Sequence, residues 1–77
     1  MDIKSQIQTR REALKLSKHA LSLRLGLSND YIGKVEAGAW DPSLSTLRQL
    51  AEFFRSEGQP FSEELEALLG LPTQSAA

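Results

Sequence analysis

No cysteine occurs in this chain, so it holds no disulfide and no thiolate metal site. That fits a reducing compartment. The single histidine, His19, has no second ligand at a metal-binding spacing. No His–acid constellation and no glycine-rich phosphate loop is present, which argues against an enzyme. No apolar run approaches the length of a membrane span, and the N-terminus carries no signal-peptide pattern. No stretch alternates apolar and polar residues for long, and no segment repeats. What is left is the expectation of a soluble, cytoplasmic, all-α domain. It should need no metal, no cofactor and no small-molecule ligand.

The 77 residues suffice for one small domain. A core of that size is marginal and calls for economical packing or a partner subunit. The net charge of −1 conceals an asymmetry. Residues 1–35 hold seven of the nine cations and sum to +4, whereas residues 36–77 sum to −5. A basic half and an acidic half suggest one face for a polyanion and another turned away from it. The alternative is chance clustering in a short chain.

Helical periodicity dominates and predicts five helices. The first runs from about Ile3 to Leu14 with Asp2 as N-cap, on an apolar stripe of Ile3, Ile7 and Leu14. Arg11 fills the next slot on that stripe. The second follows Ser17, a good cap, and reaches Leu25, where Gly26 stops it. Ser28 is expected to cap the third, Asn29 to Ala37, with Ile32 and Val35 buried and Glu36 beside them. Asp41-Pro42 breaks the chain. Ser43 restarts it as a fourth helix, Leu44 to Arg55, with Leu44, Leu47, Leu50, Ala51 and Phe54 inward. Ser62 caps a fifth, Glu63 to Leu69, whose leading acids suit a helix N-terminus. The organisation expected is a domain over 1–71 and a flexible tail over 72–77.

"KHALSLRLGLSNDYIGKV", Lys18 to Val35, has what two helices joined by a tight turn require. Leu21, Leu25, Ile32 and Val35 pin both helices to a core. Ser22 is small enough for close approach, Gly26 turns the chain, and Ser28 starts the second helix. Over about residues 3–54 the pattern extends. "RREALKLSKHALSLRLGLSNDYIGKVEAG" is followed by Pro42-Ser43-Leu44 and "LRQLAEFF", with "E-x-G" at Glu36–Gly38. The chain thereby resembles the Xre/Cro-type helix-turn-helix domains, the group that includes the lambdoid phage repressors.

The resemblance implies a compact five-helix bundle. Its third helix would enter the major groove, and the N-terminus of the second would meet phosphates. It also implies that Arg11 and Glu36 pair, tying the first helix to the end of the third. A charge on a buried face should be paired in any case. The family commonly makes its two-fold dimer through the C-terminal helix, where Phe61, Leu65, Leu68, Leu69 and Leu71 form an apolar patch. The alternative is that these residues complete the monomer core. Two features depart from the family. Ser22 stands where alanine is usual. The loop Gly38-Ala39-Trp40-Asp41 is neither basic nor amide-rich.

Candidate base contacts are Asn29, Asp30, Tyr31, Gly33 and Lys34. Asparagine can pair both edges of adenine, and an acid can accept from cytosine N4. Asp30 equally suits a helix start. Tyr31 can donate to phosphate, meet a thymine methyl or pack within the domain. Gly33 costs helix stability and would permit close backbone approach to DNA, or is simply tolerated. Lys34 can reach guanine or phosphate, or pair with Asp30 one turn earlier. Candidate phosphate contacts are Ser17, Lys18, Ser28, Arg10 and Trp40, with Lys4 and Lys15 widening the footprint.

These residues point to a transcriptional regulator, with repressor as the family's implication. It would bind duplex DNA as a homodimer on a palindromic operator, its two recognition helices roughly 34–36 Å apart. Two alternatives remain. One is a protein-interaction module of the same fold, antitoxin-like or adaptor, using the acidic half. The other is the DNA-binding part of a longer repressor.

Overall fold

The computed structural model describes residues 2–70. They fold into α1 (Ile3–Ala13), α2 (Lys18–Arg24), α3 (Tyr31–Glu36), α4 (Leu44–Ser56) and α5 (Glu63–Leu68), with no strand among the described residues. Four of the five helices lie within a residue or so of their expected bounds. Serine caps explain three of the starts. Ser17, Ser43 and Ser62 each accept the backbone N–H three residues on, from Ala20, Thr46 and Leu65. Asp2 holds the N-cap position of α1, but its carboxylate accepts the Ser5 hydroxyl at 2.6 Å rather than a backbone amide. That bond holds the exposed Asp2 carboxyl below its usual range.

α3 departs from expectation. It begins at Tyr31, not Asn29, and Ser28 does not cap it. The chain makes a turn instead, closed by the Tyr31 N–H donating to the Ser28 carbonyl at 3.0 Å. Asp30 takes the N-cap position without a side-chain cap bond. Leu44 was expected inward but is 51% exposed at the start of α4.

The core is built from every helix. Ile7, Leu21, Ile32, Val35, Leu50, Ala51, Phe54, Phe61, Leu65 and Leu69 are buried together. Phe61 meets Phe54 edge-on at 5.4 Å, a favoured aromatic geometry. The patch offered as a dimer face is therefore divided. Phe61, Leu65 and Leu69 complete the core of the single chain, while Leu68 is 72% exposed. Leu71 and the tail over 72–77 lie outside the described residues.

Four polar clamps hold the short α5 in place. Gln6 and Ser62 bond reciprocally: the Gln6 amide donates to Ser62 Oγ, and the Ser62 N–H donates to Gln6 Oε1. Arg10 Nε donates to the Pro60 carbonyl at 2.7 Å. Arg48 Nε donates to the Leu69 carbonyl at 2.9 Å, satisfying a helix end. Arg55 pairs with Glu66 at 3.0 Å.

Candidate nucleic-acid interface

The turn between α2 and α3 is built by backbone geometry. Gly26 takes φ +71°, a conformation open to glycine at little cost. The Leu27 N–H then reaches back to the Ser22 carbonyl and the Gly26 N–H to the Leu23 carbonyl, the paired closure of a Schellman motif. Ser22, fully buried, completes the junction. Its hydroxyl donates to the Lys18 carbonyl and accepts the Ile32 N–H at 3.0 Å.

The far end of α3 is tied to α1. Arg11 Nε and Nη2 donate to the two Glu36 carboxylate oxygens at 2.8 and 3.1 Å, a bidentate pair. Arg11 Nη1 also donates to the Leu16 carbonyl at 2.9 Å, in the link between α1 and α2. Both side chains of the pair are nearly buried. The Glu36 bond raises the Arg11 pKa against the opposing pull of burial. α3 is therefore anchored at its start by Ser22 and at its end by Arg11.

The structure brings most of the candidate contact residues around this anchored helix. Asn29 and Asp30 stand exposed in the turn ahead of α3 rather than in its first turn. Tyr31 and Gly33 are half-buried, and Lys34 is exposed. No ion pair joins Asp30 to Lys34 among the described residues, so both heads remain available. Lys18 packs its stem against α3, since a Cβ added at Gly33 would meet Lys18 Cδ at 3.7 Å. Ser17, Lys18 and Ser28 are exposed.

The loop after α3 folds back on it, with the Ala39 and Trp40 N–H groups donating to the Lys34 carbonyl. Trp40, 43% exposed, lies against Tyr31 with ring centroids 5.7 Å apart. Lys4 Nζ comes within 3.2 Å of where a Cβ on Gly38 would sit, at the C-terminal end of α3. A cation there complements the helix dipole.

Arg10 is not among them. Its guanidinium donates to the Pro60 and Gln6 carbonyls and lies 5.6 Å from the Phe61 ring centroid. Burial lowers its pKa, with Glu66 opposing. Its role here is to fasten the segment leading into α5.

Sequence reasoning missed two residues. Glu66 is 2% exposed and pairs with Arg55, and its Oε2 lacks a hydrogen-bond partner among the described residues. Its position beside Leu65 and three before Leu69, on the apolar side of α5, was the available signal. Ser22 was read as merely small, whereas its hydroxyl joins two helices.

A small all-helical module with two helices around a tight turn and cations gathered at the second is a helix-turn-helix domain. The family described as helix-turn-helix matches residues 7–61, and the chain belongs to it, as the Xre/Cro resemblance implied. The chain is similar to the "Uncharacterized HTH-type transcriptional regulator y4dL" of Sinorhizobium fredii (strain NBRC 101917 / NGR234), with 39% identity over 49 residues. That alignment covers 64% of this chain and 25% of the relative, so the chain spans about a quarter of that protein's length. No solved structure matches it significantly. No helix among the described residues is long and apolar enough to cross a membrane.

Proposed function

We propose that this chain binds duplex DNA sequence-specifically as a transcriptional regulator, with α3 and the turn before it in the major groove. The observation that carries this is the exposed group of Lys18 on α2, Asn29 in the turn and Lys34 on α3, around an α3 fixed at both ends. Asn29 and Lys34 lead the base contacts, and Asp30, Tyr31 and Gly33 line the same approach. Ser17, Lys18, Ser28 and Trp40 meet the backbone. Family membership and a relative named as a transcriptional regulator support the reading.

The protein acts as a repressor on a palindromic operator, excluding polymerase when bound as a homodimer. Because Phe61, Leu65 and Leu69 are core residues, the exposed Leu68 carries the described part of the dimer contact.

Selection of sites from random duplex DNA, then titration of the winner at two salt concentrations, tests this. A palindromic consensus bound with steep salt dependence is expected. Lys18→Ala removes one phosphate contact from each subunit of the homodimer and should flatten the logarithmic salt slope by about 1.8. Lys34→Ala and Asn29→Ala should lose discrimination while staying folded. No enrichment at low salt would refute DNA binding and favour a protein-interaction role for the fold.

A further inference from the structure

The first amides of an α-helix have no acceptor within the helix. In α2, α4 and α5 a serine just ahead of the helix supplies one. In α3 the residue at the N-cap position, Asp30, makes no such bond, and the Ser28 carbonyl serves only Tyr31. Ile32 is fully buried, so its N–H must find a partner inside the protein. That partner is Ser22 Oγ, ten residues upstream in another helix. The same hydroxyl donates to the Lys18 carbonyl, and the Ser22 carbonyl accepts the Leu27 N–H at 2.9 Å. One residue thus binds the start of α2, the turn and the start of α3.

We infer that Ser22 is a positioning residue for DNA recognition: through the Ile32 N–H it sets where the first turn of α3, with Asn29, Asp30 and Lys34 around it, stands relative to Lys18 on α2. The inference rests on the reading of α3 as the DNA-contacting helix. Ser22 touches no DNA itself, being fully buried. Its effect is on pose, so it acts on discrimination between sites rather than on the attraction of phosphates.

Two variants test it, Ser22→Ala and Ser28→Ala, compared with the wild-type chain well below the unfolding temperature. Ser22→Ala removes one buried hydroxyl and adds no bulk, so that variant should fold. The first readout is backbone hydrogen exchange at Ile32, referred to Leu50 in α4 to remove any global change. Ser22→Ala should speed Ile32 exchange about tenfold relative to Leu50, the loss expected for one buried hydrogen bond. Ser28→Ala should leave it unchanged.

The second readout is the ratio of affinities for the selected duplex and a random duplex. It should fall about tenfold in Ser22→Ala, while the salt slope stays the same because no phosphate contact is removed. A purely structural role would lower stability and leave that ratio intact. An unaltered ratio, or Ile32 protection lost in Ser28→Ala instead, overturns the inference. A wild-type chain that selects no duplex defeats the DNA reading and the inference with it. Fast exchange at Ile32 would even then mark Ser22 as the cap of α3.

Discussion

Gly33 is the third residue of α3, a position where the fold has no use for glycine. Its φ is not in the left-handed region. A Cβ added there meets only Lys18 Cδ at 3.7 Å, an ordinary van der Waals contact with a flexible stem. Glycine inside a helix costs about 0.5–1 kcal/mol against alanine. Gly33→Ala should therefore stabilise the free protein by about that amount, raising Tm by about 2–8 °C for a domain of this size. Circular dichroism followed through thermal unfolding measures it. If the outer side of α3 lies close against DNA, the new methyl occupies space the duplex needs. Affinity for the selected site should then fall although stability rises. A drop in Tm would refute the reasoning about the fold. A rise in Tm with unchanged affinity would refute close approach at this position.

Arg11→Ala strands the nearly buried Glu36 carboxylate and should cost about 3–5 kcal/mol, measured by urea unfolding. The Arg11→Ala, Glu36→Ala pair together should cost less than the two single losses added. Lys15 is the described non-glycine residue with positive φ, at 58°, ending α1 where other helices end in glycine. Lys15→Gly should relieve about 1 kcal/mol of that strain and raise the urea midpoint. The Asp2 carboxyl lies below its usual range chiefly because it accepts the Ser5 hydroxyl. Its small stabilising effect is present above its ordinary pKa and lost as pH falls through the lowered one. Ser5→Ala should move its titration upward, as followed by NMR.

Much of the architecture was legible because its signals are local. A serine followed by an apolar-periodic run marked the starts of α2, α4 and α5, and the three caps formed there. Arg11 and Glu36 stood out as charges on apolar stripes, and they meet. The start of α3 was not legible. Ser28, Asn29 and Asp30 are three cap-forming residue types in a row, and the acceptor that Ile32 uses lies on α2. Spacing along one segment cannot reveal a bond between two. Periodicity likewise placed Leu65, Leu68 and Leu69 on one helix without saying which core they join. Only packing against α1 and α4 separates the buried pair from Leu68. Arg10 and Glu66 failed for a related reason. A formal charge suggests solvent until a distant carbonyl or arginine is seen to receive it.

The clamps on α5 have an evolutionary consequence. Arg10 and Arg48 grip the backbone carbonyls of Pro60 and Leu69, and every amino acid supplies a carbonyl. Such a grip is blind to which side chains the held segment carries on its outer face. Glu63, Glu64, Ala67 and Leu68 are all exposed there. Substitutions at Ala67 and Leu68, past the acidic first turn, can accumulate without loosening α5 or disturbing α2 and α3. The choice of what docks on that face is therefore free to diverge between descendants of this gene while the helix-turn-helix half stays constant.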